Sequence, residues 1–101
     1  MTTSPDTEPR YVISVAASMV GVKTHTLRYY EKVGIVCPSR SRGNIRLYCE
    51  RDIAQLRQVK TLMDDMGVNM AGVEVILRMW EHMTRLQQRI KELETELEKL
   101  K

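Results

Sequence analysis

A set of basic and phenolic side chains between residues 25 and 32 has the types and the spacing needed to bind an anion. Its members stand at i, i+3, i+4 and i+7, positions that share one face of a helix. Guanidinium, ammonium, imidazole and phenol groups donate hydrogen bonds to anionic oxygens. The spacing therefore predicts a helix that offers this face to an anionic partner and packs its opposite side, which includes Tyr30, against a core. We call the surface the cationic face: His25, Arg28, Tyr29 and Lys32.

The segment before the cationic face has the pattern of two helices joined by a tight turn. A brief strand is expected over residues 11–14, followed by a first helix with Ser14 as its N-cap. Gly21 is expected to end that helix in the left-handed conformation that glycine tolerates, and Thr24 to cap the second helix. A small residue, a glycine and an apolar residue at these intervals are typical of a helix-turn-helix: Ala17, Gly21 and Leu27.

Two runs of extended character then flank a turn that carries arginines on both sides. Ile35–Cys37 and Ile45–Cys49 are predicted to pair as a hairpin with Gly43 at its tip. This register places Arg40 opposite Arg46, and like charges in that position repel each other. The repulsion favours a phosphate backbone beside the hairpin. A helix-turn-helix followed by a basic hairpin is a winged arrangement, in which one helix enters the major groove and the hairpin reaches phosphates or the minor groove.

The charge distribution agrees with a polyanion-binding module. Residues 22–60 contain nine Lys or Arg and three acidic residues, whereas residues 61–101 contain six basic and eight acidic residues. A basic block followed by a mildly acidic one indicates that a second element follows the binding module. The sequence contains no run of about twenty apolar residues, so a membrane span is not predicted. Residues 1–10 have the composition of a disordered arm rather than a signal peptide. The cytoplasm is therefore the predicted compartment.

Catalytic, cofactor and metal sites are not expected. The chain lacks a nucleophile and base at a plausible spacing, a phosphate-binding loop and clustered carboxylates. His25 and His82 belong to different elements, so four tetrahedral metal ligands are not assembled locally. Cys37 and Cys49 fall opposite each other in the predicted hairpin, which leaves a redox switch open as an alternative to two reduced, packed thiols. We expect a protein that is not an enzyme and has no cofactor.

A third and a fourth helix are predicted after the hairpin. Glu50–Met66 carries an apolar stripe and is followed by Gly67 as a stop signal, and Asn69 is a candidate N-cap for the next helix. The stripe consists of Ile53, Leu56, Val59 and Met63. Beyond Asn69, apolar residues alternate spacings of three and four for more than three heptads. We call them the apolar seam: Ile76, Met79, Met83, Leu86, Ile90, Leu93, Leu97 and Leu100.

The apolar seam predicts a two-stranded coiled coil between two copies of the chain. A helix cannot cover its own seam, and a rise of about 1.5 Å per residue carries its last fifteen residues roughly 20 Å beyond a small core. With Ile90 at position a, the charged g and e positions favour parallel strands, but exposed pairs contribute only about 0 to 1 kcal/mol each. The expected dimer contacts are Met83, Leu86, Ile90, Leu93, Leu97 and Leu100.

Three motifs in this order resemble the MerR family of bacterial transcription regulators: "LRYYEKVGIVCPSR", "GNIRLYCERDIAQLR" and "MGVNMAGVEVILRM". The third, together with "YVISVAA" near the start, is similar to the HspR-type heat-shock repressors of that family. The resemblance implies a pseudo-palindromic operator and a homodimer whose C-terminal helices pack antiparallel. That orientation conflicts with the parallel one favoured by the charged g and e positions. Tyr48 is expected to support the wing or to touch a phosphate. The implied DNA contacts are Thr24, His25, Arg28 and Tyr29 on the helix, and Arg40, Arg42, Asn44 and Arg46 on the wing.

The predicted fold class is mostly α with a small β wing. Residues 1–10 form the arm, residues 11–68 a winged helix-turn-helix DNA-binding domain, and residues 69–101 a linker helix and dimerisation coiled coil. The resemblance implies repression of heat-shock or chaperone genes on the bacterial nucleoid, with the DnaK chaperone as corepressor. Two alternatives remain open: an activator that twists an over-long promoter spacer so that RNA polymerase can engage, and an interaction protein, similar to MerR-like modulators of DnaJ-type cochaperones, that binds a chaperone and no DNA.

Overall fold

The computed structural model describes residues 5–101, and its contacts divide the chain into two compact units. We call Met1–Val68 the N-terminal unit and Asn69–Lys101 the C-terminal unit. The described part of the N-terminal unit contains, in chain order, β1 Tyr11–Val12, α1 Ile13–Val20, α2 Thr24–Lys32, β2 Ser39–Arg40, β3 Arg46–Tyr48 and α3 Glu50–Lys60. The C-terminal unit is the single helix α4, Met70–Lys99.

A glycine turn joins α1 to α2, as the sequence predicts. Gly21 has a φ of +87°, and its N–H donates to the Ala17 carbonyl at 2.8 Å, which is the left-handed helix end that glycine favours. Ala17 and Leu27 are both buried where the two helices pack. The predicted spacing of a helix-turn-helix is therefore confirmed.

The predicted N-caps of these two helices are wrong. Val12 is the N-cap of α1, because its pairing with Leu47 holds it extended and the helix begins at the next residue, so Ser14 lies within the first turn. Lys23 is the N-cap of α2, since its carbonyl accepts the first helical hydrogen bonds, and Thr24 is already helical. Neither cap uses a side-chain hydrogen bond.

The three described strands form one antiparallel sheet in the order β1-β3-β2. In the β2–β3 hairpin, Arg40 pairs with Arg46, which confirms the predicted register. The pairing of β1 with β3, which sets Tyr11 opposite Tyr48, was not predicted. It connects the wing directly to the strand that leads into α1.

The prediction for the first strand of the hairpin is wrong. Ile35–Cys37 forms no strand, and β2 begins only at Ser39. The reason lies at the end of α2, where Gly34 has a φ of +87° and the Ile35 N–H donates to the Tyr30 carbonyl at 2.9 Å. The left-handed Gly34 and this hydrogen bond end the helix. The chain then enters the core, where Ile35 and its neighbour Val36 are both buried.

Helix α3 supplies a large share of the core of the N-terminal unit. Its first turn is fixed by the Asp52 carboxylate, which accepts from the Cys49 N–H at 3.0 Å. The predicted helix continues past Lys60 as a π-helical turn, Thr61–Asp65. The fourth buried position of the stripe is Leu62, within this turn, and Met63, which was predicted for that position, is only half-buried. The fully buried side chains on α3 are Ile53, Leu56 and Val59.

Helix α4 begins where the sequence predicts. The Asn69 side chain accepts from the Gly72 N–H at 2.9 Å, which satisfies one of the free donors of the first turn. The helix has 30 residues, a length of about 45 Å.

The segment predicted as a disordered arm differs in part from that prediction. Pro5–Thr7 forms a short 3-10 turn that contacts α3, and the Arg10 N–H donates to the Tyr48 carbonyl at 3.0 Å. Residues 1–4 of the predicted arm lie outside the described residues.

Candidate nucleic-acid interface

Helix α2 carries the cationic face on its solvent side. Tyr29 is 49% exposed, whereas its neighbour Tyr30 is 6% exposed and Leu27 is fully buried. Burial of Leu27 and Tyr30 fixes the rotation of the helix, because apolar surface is removed from water on that side only. Burial also raises the pKa of the Tyr30 phenol above its usual value, and its hydroxyl donates to the Met63 Sδ at 3.6 Å.

The basic members of the cationic face are exposed and available to a ligand. Within residues 5–101, the structure gives no ion pair or side-chain hydrogen bond to His25, Arg28 or Lys32. Thr24 is half-buried at the first position of α2. The sequence-predicted residues of this helix therefore lie together on one surface, with unpaired donors directed to solvent.

The loop between β2 and β3 holds two further predicted contacts at its tip. Asn44 has a φ of +60°, a left-handed conformation that asparagine adopts more readily than most residues. Its N–H donates to the Ser41 carbonyl at 2.9 Å, and the Ser41 N–H donates to the Ile45 carbonyl at 2.9 Å. These bonds form a compact hairpin connection that leaves the side chains of Arg42 and Asn44 exposed.

The other two wing arginines have a partner inside the protein. The Glu31 carboxylate accepts from Arg40 Nη2 at 3.0 Å through Oε1 and from Arg46 Nε through Oε2. Arg40 Nη1 also donates to the Asn44 carbonyl at 3.3 Å. The repulsion between Arg40 and Arg46 is thus offset by a carboxylate of α2 and does not require a phosphate. We call this cluster the Glu31 bridge: Glu31, Arg40 and Arg46.

Tyr48 is not available for the predicted contact to a phosphate. Its side chain is fully buried, and burial raises the pKa of its phenol. Its hydroxyl has no hydrogen-bond partner in the described part of the chain. This burial is consistent with the other predicted role, support of the wing from the core.

Glu31 is the residue that reasoning from the sequence missed. A signal was available, because Glu31 is the sole acidic residue between Glu8 and Glu50, a stretch that includes the whole helix-turn-helix and wing. Two arginines predicted to lie opposite each other need a counter-charge. Their pairing with Glu31, at separations of 9 and 15 residues, depends on tertiary packing that no periodicity reports.

The C-terminal unit exposes most of the apolar seam. The seam residues from Met79 to Leu100 are between 42% and 82% exposed. Exposed apolar residues that continue over several helical turns indicate a contact surface for another helix.

The described residues contain no group of three or more His, Cys, Asp or Glu side chains that could hold a metal ion. Both cysteines are free thiols, Cys37 exposed and Cys49 half-buried. Among residues 5–101, no helix is both long and apolar enough to cross a membrane.

The geometry described above has a counterpart in a known family. A family model described as "MerR HTH family regulatory protein" matches residues 11–80, which include the helix-turn-helix, the wing, α3 and the start of α4. The chain belongs to the MerR family of transcriptional regulators. The resemblance found in the three motifs is therefore confirmed, and regulators of this family are DNA-binding proteins and not enzymes.

Two relatives are similar over most of the chain. A Streptomyces coelicolor protein with the provisional name heat shock protein HspR is 44% identical over 90 residues, which cover 89% of this chain and 60% of that protein. The transcriptional regulator GlnR of Bacillus anthracis is 34% identical over 96 residues, 91% of this chain and 74% of GlnR. The chain thus spans about three fifths of the length of the HspR relative.

Two solved structures share the fold. HiNmlR, a MerR family regulator lacking the sensor domain and bound to promoter DNA, superimposes with a TM-score of 0.61 at 22% identity, over 87% of this chain and 78% of HiNmlR. A MerR family regulator from Bacillus cereus gives a TM-score of 0.59 at 26% identity, over 88% of this chain and 78% of that chain. They confirm the predicted fold class, mostly α with a small β wing and a long C-terminal helix.

Proposed function

We propose that this MerR-family protein is a homodimeric repressor that binds a pseudo-palindromic operator of heat-shock or chaperone genes. The observation that carries the proposal is the cationic face, whose unpaired donors lie exposed on the second helix of a helix-turn-helix. The similarity to HspR, 44% over 89% of the chain, supports the choice of target genes. Action on the bacterial nucleoid, with the DnaK chaperone as corepressor, is part of the proposal.

Each candidate contact has a role that fits its chemistry. Arg28, in the middle of the exposed side of α2, is suited to a guanine edge in the major groove. His25, Tyr29 and Thr24 are suited to bases or phosphates beside it. Arg42 and Asn44, exposed at the wing tip, are suited to the neighbouring phosphate backbone.

The apolar seam supports the dimer. A second copy of α4 would cover the exposed apolar side chains, and two copies of the cationic face would then read the two halves of an inverted repeat. The antiparallel pairing that the family resemblance implies is part of the proposal.

The test is selection of genomic DNA fragments by the purified full chain, followed by footprinting. We expect one inverted repeat to be enriched, and its affinity to fall steeply between 50 and 200 mM salt because bound phosphates release counterions. A protein that enriches no sequence and ignores salt would contradict DNA binding and favour a protein-interaction module.

The sign of regulation is tested by transcription in vitro from the selected promoter. We expect the protein to lower transcript levels, and DnaK to strengthen that effect. An increase in transcript from a promoter whose spacer carries the operator would instead identify an activator.

The orientation of α4 is tested by disulfide crosslinking. In a background with Cys37→Ser and Cys49→Ser, we place a single cysteine by Leu100→Cys. Parallel helices would bring the two Leu100 positions together and give an oxidised dimer. We expect antiparallel helices and therefore no crosslink, and a rapid crosslink would contradict that pairing.

A further inference from the structure

The Glu31 bridge joins two elements that the proposed function assigns to different parts of the DNA. Glu31 lies in the last turn of α2, one helical turn after Arg28, whereas Arg40 and Arg46 are paired across β2 and β3. Both carboxylate oxygens are occupied, one by each arginine. The bridge is therefore a direct link between the helix with the cationic face and the wing.

Backbone contacts between α2 and either β2 or β3 are sparse, and β3 packs instead against β1 and α1. Glu31 and Arg46 are only partly exposed, at 21% and 30%, so their pair is less screened than a fully exposed ion pair, whereas Arg40 is exposed and its pair with Glu31 is the weaker of the two. Arg40 extends the link to the Asn44 carbonyl of the wing loop.

We propose that Glu31 is a positioning residue that fixes the wing relative to α2 and thereby makes DNA binding selective for the operator. The inference rests on the proposed function. A wing held in place does not have to be ordered when the operator binds, and its fixed spacing from α2 fits only a duplex whose groove and backbone lie at the matching separation.

The carboxylate has a second effect of opposite sign. A negative charge beside a DNA-binding surface weakens attraction to the phosphates of any duplex. Removal of Glu31 is therefore expected to weaken operator binding and to leave unchanged, or to strengthen, binding to unrelated DNA. A residue that only tuned the charge would change both affinities in the same direction.

The experiment compares the wild-type full chain with Glu31→Gln, which removes the charge and keeps the shape. The dissociation constants for the selected operator and for a scrambled duplex of equal length are measured at the same salt concentration. We expect operator affinity to fall roughly 3- to 10-fold while affinity for the scrambled duplex holds or rises. Parallel changes in the two affinities would overturn the inference.

The matched control is Glu81→Gln on α4. Glu81 pairs with Arg85 at 3.6 Å, so this variant also removes one carboxylate from an ion pair and changes the net charge equally. We expect it to leave the ratio of the two affinities unchanged. A ratio lowered as much as by Glu31→Gln would attribute the effect to net charge and overturn the inference.

A double-variant cycle separates positioning from general loss of stability. If Glu31 acts through Arg46, the loss of discrimination caused by Glu31→Gln should disappear in an Arg46→Gln background. Fully additive losses, or losses that track a lowered melting temperature, would overturn the inference.

A readout without DNA completes the test. In nitrogen-15 NMR spectra, the Arg46 Nε–H of the wild type should exchange slowly with water and should become as labile as that of Arg42 in Glu31→Gln. An Arg46 signal that does not change would overturn the bridge itself. A wild type that binds no duplex would instead overturn the proposed function, and the inference with it.

Discussion

The N-terminal and C-terminal units use apolar residues in opposite ways. In the N-terminal unit, Leu27, Ile53, Leu56 and Val59 are fully buried, which stabilises the fold by about 1.5 to 3 kcal/mol per side chain. In the C-terminal unit, the apolar seam beyond Met79 remains exposed. The first unit is stabilised by its own core, whereas the second presents an apolar surface suited to a partner. We therefore expect changes in one unit to leave the task of the other largely intact.

The largest effect is expected from a charge in the seam. Leu93→Asp would place a carboxylate in the dimer contact, where burial of an unpaired charge is strongly unfavourable. We expect the protein to sediment as a monomer at concentrations at which the wild type is a dimer. The melting of the N-terminal unit should change little.

The control for this variant is Thr95→Asp. Thr95 lies two residues further along α4 and outside the seam, and its hydroxyl donates only to the Lys91 carbonyl at 3.0 Å. It introduces the same charge and should leave the dimer intact. A persistent dimer in Leu93→Asp, or monomers in both variants, would contradict the assignment of the seam as the interface.

The complementary variant is Leu56→Ala in the core. Removal of a fully buried leucine from α3 is expected to lower the free energy of unfolding by about 2 to 5 kcal/mol, as measured by urea denaturation of the N-terminal transition. Sedimentation should still report a dimer. A dimer that is lost together with the core would show that the two units are not separable.

A smaller effect is expected at the cationic face. Arg28→Ala removes an unpaired guanidinium and should lower operator affinity by about 1 to 3 kcal/mol and relax base preference at one position of each half-site. Arg85→Ala on α4 removes the same charge and should reduce affinity only slightly. Selection of binding sites with both variants measures the difference, and an unchanged Arg28→Ala would exclude that residue from the interface.

The smallest effect is expected at Tyr48. Because its buried hydroxyl has no partner among the described residues, Tyr48→Phe should leave stability at pH 7 unchanged or raise it by up to about 1 kcal/mol. The raised pKa of Tyr48 means that the fold favours the neutral phenol. The stabilisation that comes from this preference is complete below about pH 10, the pKa of tyrosine in the unfolded chain. It is lost as pH rises through the pKa of Tyr48 in the folded protein.

Denaturation between pH 7 and pH 11 tests this sign. The wild type should lose stability above pH 10, and Tyr48→Phe should lose less of it. Equal losses would show that the Tyr48 phenol does not contribute. They would leave as sources Tyr30, whose pKa is raised by burial, and Tyr11, whose pKa is raised by its hydrogen bond to Glu50.

Local signals in the sequence were sufficient for much of the fold. The glycine at position 21, the cap at Asn69 and the symmetry of the hairpin about Gly43 each act over a few residues, so the turn, the start of α4 and the register of Arg40 with Arg46 could be predicted. The spacing of the cationic face likewise predicted that Tyr30 is buried and Tyr29 exposed.

Features decided by tertiary contacts could not be predicted in the same way. Helix α1 begins directly after Val12 because β1 pairs with β3, a strand distant in the sequence. Ile35 is buried in the core and does not join the hairpin. The two faces of a strand as short as β3 give no periodicity, so the burial of Tyr48 was open. The Glu31 bridge required knowledge of where α2 ends relative to the wing.

The most direct test of a dimer that reads one operator is the stoichiometry of the protein–DNA complex. Sedimentation velocity with a labelled duplex that carries the selected inverted repeat measures the mass of the complex. We expect two chains for each duplex, joined through α4, and the loss of this complex in Leu93→Asp. A complex with a single chain that protects the whole repeat would contradict the dimeric regulator.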